Sequence, residues 1–222
     1  MIAIRYLVIT FTDVQMRPSD IPKLRGYFSN KYPHDHLFHN HLPGQGFIYK
    51  SPSIQYRIID GHPALLAINE GIDLMKKMFL EIDQIRINDK IISTYEREVI
   101  LREEDFGKSP DFHKYRFSTP WMALNSENYA EYKDANPVDQ SAMLKRILKN
   151  NLKTLSKGFG YWIEDFDSVR IDGWFKPMDV SFHGIAMNCF KGEFTTNFII
   201  PEYLGLGKQS ARGFGVIRRL YD

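Results

Sequence analysis

Asp60-Gly61 separates two runs that read as strand, 48–59 and 62–68. A two-residue connection of this kind signals a tight hairpin, because both turn positions need positive φ. The hairpin constrains what can stand on either side of it. Upstream, 3–12 reads as a strand, and Arg17-Pro18-Ser19-Asp20 opens a helix to about Lys31 with Leu24, Tyr27 and Phe28 on one face. Tyr32-Pro33 closes that helix, since the residue before proline is pushed out of the helical region. Downstream, Ile72, Met75, Met78, Phe79 and Ile82 form one stripe of a helix starting near Glu70, and 85–101 supplies further strand. The order β-α-β-β-α-β is the ferredoxin-like arrangement.

The second half repeats part of this order. Residues 115–124 read as a strand, and Asn136-Pro137-Val138-Asp139 is a helix start with Asn as N-cap and Pro in the first turn. An apolar stripe from Met143 to Leu155 follows, with Lys145, Arg146, Lys149, Lys153 and Lys157 between its members, until Gly158 and Gly160 stop the helix. The remainder is β-rich, over 169–175, 180–190 and 194–199, and no second crossover helix can be read. Gly107 to Phe112 breaks the strand pattern, which places a domain boundary there and gives domains 1–108 and 109–222.

Composition narrows the class. Of the 222 residues 43% are apolar and 25% charged, which excludes a disordered, collagen-like or coiled-coil chain. Cys189 is the single cysteine, so there is no intrachain disulfide and a reducing compartment is expected. No apolar run approaches the roughly 18 residues of a membrane span. The opening residues alternate like a strand instead of forming a secretion leader. A cytoplasmic protein with no membrane partner is the expectation. Net charge is only +2, yet the five cations of the 137–157 helix have no acid among them between 143 and 158. Such a stripe suits a polyanion along one face, or is simply a solvated helix face.

Residues 205–215 read Gly-Leu-Gly-Lys-Gln-Ser-Ala-Arg-Gly-Phe-Gly. Four glycines allow close backbone approach, and Lys208 and Arg212 beside exposed N–H groups would suit phosphates. It is no nucleotide-binding P-loop, because Gln209 follows Gly-Lys and no helix comes after. With this tail at the end of a β-rich half, the chain resembles the CRISPR-associated repeat-processing endoribonucleases of the RAMP superfamily. That resemblance implies an α+β fold of tandem ferredoxin-like (RRM-like) domains with antiparallel sheets. It also implies a histidine after the first helix, and CRISPR repeat RNA as partner. Other CRISPR effector subunits are further candidate partners, and monomer and homodimer both stay open. The RNA-binding candidates are Gly205, Gly207, Lys208, Gln209, Ser210, Arg212, Gly213 and Gly215 of the tail, with Lys145, Lys149 and Lys153 of the basic helix.

His34, His36, His39 and His41 fall within eight residues of one another. They could be a metal site, although the spacing fits no standard zinc pattern and no cysteine accompanies it. They could be an incidental polar loop. They could also serve RNA cleavage through the ribose 2′-hydroxyl, with no metal and no cofactor. That reaction needs a base, an acid for the leaving 5′-oxygen and a cation for the charge on the phosphate, and histidine titrates in the right range. The expected catalytic set is His41 and His39, with Lys50, Tyr49 and Tyr27 beside them. The resemblance then implies a metal-independent endoribonuclease that cuts CRISPR precursor RNA within its repeats, leaving a 2′,3′-cyclic phosphate and a 5′-hydroxyl. A RAMP-type RNA-binding subunit without cleavage activity is the alternative. His62 and His183 are expected to be structural.

Overall fold

The computed structural model describes the chain except residues 34, 40, 43, 44, 48–51, 183 and 222; for 36, 39, 41, 42, 45–47 and 182 it describes the backbone alone. The chain forms two compact units. One comprises Ala3–Glu104 with Ala211–Gly213, the other Met1–Ile2, Asp105–Ser210 and Phe214–Asp222.

The first unit contains β1 (Ile2–Phe11), α1 (Ile21–Lys31), α2 (His36–His39), β2 (His41–Leu42), β3 (Gln45–Phe47), β4 (Ile54–Ile59), β5 (His62–Ile68), α3 (Glu70–Met78), β6 (Gln84–Ile87) and β7 (Lys90–Ser93). It also holds the first part of β8 (Arg97–Phe117). The strand order β4-β5-β1-β8, with β5 antiparallel to both neighbours, is that of a ferredoxin-like sheet. Asp60 and Gly61 have φ of +51° and +87°, the turn that the sequence demands. α1 lays Leu24 and Phe28 into a core with Leu7, Ile9, Tyr56 and Met75. β4 runs from Ile54, after Pro52, which has no N–H for a ladder, and Ser53, whose carbonyl accepts from the Ile68 N–H at 2.8 Å; the part of the expected strand over 48–51 lies outside the described residues. The expected strand over 85–101 is three pieces. β6 and β7 form a separate hairpin around Asn88, at φ +54°, before β8 begins.

Among the described residues, the second unit holds the rest of β8, α4 (Ser126–Asp134), α5 (Pro137–Gly158), β9 (Ile171–Phe182), β10 (Ile185–Ile199) and β11 (Ile217–Leu220). β10 lies between β8 and β9, and β11 pairs with β8. Where a break in the strand pattern was expected, at 107–112, β8 instead runs on. Gly107 adopts φ +140°, and the register against β10 shifts between Thr196 and Phe198, so a bulge absorbs the irregular residues. The interruptions expected in 176–179 and 191–193 are also paired strand. Pro177 is tolerated because β9 is an edge strand, and Gly192 leaves room for the Trp174 carbonyl. At the other end, the expected strand 115–124 stops at Phe117, and Trp121 makes only an isolated bridge to Phe190. α4 escapes a periodicity search because it buries no residue; a reciprocal Asn125–Asn128 capping box starts it. α5 begins as read, with the Asn136 side chain accepting from the Val138 and Asp139 N–H groups at 3.0 and 3.1 Å. Among the described residues no helix is long and apolar enough to cross a membrane.

In the first unit the turn before β8 is held by Asp13, whose carboxylate accepts from the Thr94 hydroxyl at 2.7 Å and the Tyr95 N–H at 2.6 Å. Burial alone would raise its pKa, but the hydrogen bonds from Tyr95, Thr94 and Glu96 outweigh this and hold it below the ordinary carboxylate value. Its contribution is therefore present above the unfolded pKa of about 4 and is lost as pH falls through the lower folded value. Asp13→Asn should flatten the acid limb of a Tm-against-pH profile below about pH 4. An unchanged limb would show that the turn does not depend on the charge.

Candidate functional site

Phe38 is the buried residue that fastens the histidine-rich segment to α1, with Leu37 packed on the same core. The Phe38 ring stacks on Tyr32 at 5.4 Å and lies 6.1 Å from Phe28. Its carbonyl accepts from Ser29 Oγ at 3.2 Å, and its N–H reaches the Asp35 carbonyl at 3.1 Å. The backbone of His39 therefore leaves from a fixed point, and a short antiparallel pair, β2 with β3, carries His41. The side chains of His39 and His41 lie outside the described residues, as do Tyr49 and Lys50 altogether. Tyr27 is described. Its hydroxyl donates to the Gln84 carbonyl at 2.8 Å and its ring meets Phe28 edge-on, so it ties α1 to β6. His62 is structural as expected, with Nδ1 2.9 Å from the Val14 carbonyl; His183 lies outside the described residues.

The glycine-rich tail divides in two. Gly205, Gly207 and Gly215 belong to the second unit, where their close approaches are to the protein itself. A Cβ on Gly215, at φ +61°, would stand 2.0 Å from the Leu206 carbonyl, and one on Gly207 would stand 2.7 Å from the Trp121 indole nitrogen. That indole donates to Asn151 of α5 at 3.0 Å. The turn's own close contacts require glycine at these positions. Lys208 and Gln209 are exposed beyond them, and Ser210 is half-buried.

Ala211–Gly213 instead pack with the first unit. Gly213, at φ +83°, sits where a Cβ would meet the Ile21 side chain at 2.5 Å and the Tyr56 carbonyl at 3.3 Å. Arg212, half-buried, comes close to Arg25 of α1. Burial first, and then the neighbouring guanidinium, lower its pKa from the ordinary value. Next to Tyr56 in sequence, Arg57 on β4 is fully buried, and burial brings its pKa down to about 9. Its guanidinium donates to the Tyr56 carbonyl at 2.9 Å and to the Gln55 side chain. Arg25 and Phe38 were missed in the sequence. Phe38 had a signal, as an aromatic among histidines; Arg25 had none, because its meaning comes from Arg212, far away along the chain.

The cations of α5 are largely engaged. Lys145 bonds Asp172 at 2.6 Å, and Lys149 donates to the Asp167 carbonyl at 3.1 Å. Lys149 and Lys153 lie over the Phe166 ring at 4.8 and 4.6 Å. Exposed pairs of this kind are worth only about 0–1 kcal/mol, so a phosphate could displace the carboxylate.

Residues 2–105 match the family model for the Cas6b N-terminal domain and 107–220 that for the Cas6b C-terminal domain. A solved structure described as Cas6b is 35% identical with a TM-score of 0.92, covering 99% of this chain and 100% of that one. A second, described as the CRISPR RNA processing endoribonuclease Cas6b, is 32% identical with a TM-score of 0.79 over the same shares. An uncharacterised protein of Methanocaldococcus jannaschii is 31% identical over 148 residues, 67% of this chain and all of that one. A type IV Cas6 crRNA endonuclease, at 13% identity and a TM-score of 0.54, shares the fold.

Gly213→Ala should cost about 1–2 kcal/mol, because alanine pays the left-handed φ penalty and its methyl displaces Ile21. Thermal unfolding of the variant checks this. No loss of stability would mean that the tail does not dock as described.

Proposed function

A chain matched from residue 2 to residue 220 by the two Cas6b domain models belongs to the Cas6b family of CRISPR RNA processing endoribonucleases, and on that premise we propose that it cuts CRISPR precursor RNA within the repeats. The observation that carries the proposal is the docking of Ala211–Gly213, with Arg212, beside α1 in the unit that also bears the histidine-rich segment. A phosphate of the repeat backbone held by Arg212 would lie beside α1. The histidines that follow α1 in the chain would act on the neighbouring ribose.

The chemistry proposed is transfer within the RNA. A histidine of the pair His39 and His41 takes the proton of the 2′-hydroxyl, whose oxygen attacks the adjacent phosphorus. The P–O5′ bond breaks, and the other histidine gives a proton to the departing 5′-oxygen. The products are a 2′,3′-cyclic phosphate upstream and a 5′-hydroxyl downstream, with no metal needed for the balance. Lys50 would neutralise charge on the pentacoordinate phosphorus, and Tyr49 would orient the attacking group. Tyr27, with its hydroxyl committed to Gln84, keeps α1 in position. Lys208, Gln209, Ser210 and Arg212, with Lys145, Lys149 and Lys153 of α5, would hold the RNA backbone.

Cleavage of a labelled repeat RNA in excess chelator tests this, with a parallel substrate carrying one 2′-deoxynucleotide at the cut. A single cut that survives chelator and is blocked by the 2′-deoxy substitution is expected. His39→Ala and His41→Ala should each lower the rate about 10²–10⁴-fold while leaving RNA affinity within a few-fold. A cut that needs added metal would overturn the mechanism. Tight binding without any cut would move the protein to a binding subunit.

A further inference from the structure

Gly26 lies in the middle of α1, where glycine weakens a helix relative to alanine. No contact with a described residue accounts for it. Its backbone is regular helix, and among the described residues a Cβ built there meets no atom within 4 Å outside its own helix backbone and chain neighbours. The space above it is part of a groove of about 460 Å³ lined by Lys23, Tyr27, Asn30, Lys31, Arg86 and Asn88. Lys23, Gly26, Tyr27 and Asn30 follow one another at helical spacing on a single stripe, with Lys31 at its edge. This stripe is turned away from Ile21, which the tail covers. Arg86 and Asn88 come from the β6–β7 hairpin on the far side of the groove. Three cations line the groove; Asp20 pairs with Lys23 at 2.9 Å, and Lys31 lies 5.8 Å from the Tyr27 ring centre.

A helical glycine with open space above it among the described residues, on the floor of a cationic groove, marks close approach by a group from outside. We propose that the RNA phosphodiester backbone, away from the cut, runs through this groove and passes over Gly26, with Lys23 and Arg86 on its phosphates. The proposal rests on the reading of the protein as a repeat-RNA endoribonuclease and adds a second place of contact. Backbone atoms approach most closely where no Cβ stands, and paired cations release counterions when phosphates replace them. Asn30 and Asn88 have donors for the remaining phosphate and sugar oxygens.

The test is one set of variants on the full chain, with repeat-RNA affinity measured across a salt series and Tm measured in parallel. Gly26→Ala should raise Tm by about 2–4 °C, since the helix gains and nothing clashes. Gly26→Leu should weaken RNA binding about tenfold or more. Lys23→Ala and Arg86→Ala should each reduce the slope of log affinity against log salt by about 1. If Gly26→Ala lowers Tm, the glycine is a packing requirement and the proposal fails. If Gly26→Leu, Lys23→Ala and Arg86→Ala leave affinity and salt slope unchanged while wild type binds and cuts, the groove is not on the RNA path. A wild-type protein that binds no repeat RNA overturns the functional reading, and this proposal with it.

Discussion

The first unit depends on the placement of Phe28. Its ring is buried between the sheet and the histidine-rich segment, 6.3 Å from Tyr56 on β4 and 6.1 Å from Phe38. That contact seats α1 on the sheet and fastens the start of the histidine segment to α1. Everything of functional interest in this unit is referred to that helix: Arg25 and Ile21 on the stripe that meets the tail, Lys23 and Gly26 on the stripe that faces the β6–β7 hairpin. Loss of a buried phenylalanine typically costs about 3–5 kcal/mol, and here it would also release the geometry of both faces.

Electrostatics then separates two kinds of cation. Lys145 and Arg146 of α5 are matched by Asp172 and Glu131, and Lys149 and Lys153 are drawn over Phe166. They stabilise the resting protein and answer to an RNA only by exchange of partners. Arg212 is different: it is half-buried against the first unit, and the guanidinium of Arg25 acts on it there. A basic stripe read from sequence does not show which of its cations already have partners within the protein.

The glycines make the same point about backbone. Gly205, Gly207 and Gly215 are needed because their own chain comes too close, and Gly213 because it turns with positive φ against Ile21 and Tyr56. Gly26 alone among these has open space around it. Identical residues in one sequence therefore answer to three causes, namely a turn, an internal contact and an absent partner, and only coordinates tell them apart.

Features decided by near neighbours were legible in the amino-acid order. Asp60-Gly61 dictates its turn because both φ values belong to adjacent residues, and Asn136-Pro137 caps a helix within its first turn. The β-α-β-β-α-β order and the placing of the histidines after α1 follow from the same short-range rules. Strand breaks over 107–112, 176–179 and 191–193 were misread because pairing with β10 or β9 overrides weak local propensity, through a bulge, an edge position and a close carbonyl contact. α4 was invisible, since a helix that buries nothing has no stripe. Tertiary structure alone decided that the tail at Ala211–Gly213 docks beside α1, that Asp172 pairs with Lys145, and that Gly26 floors an open groove. Each of these depends on residues brought together by sheet register and helix packing, and sequence spacing carries no record of the distance between them.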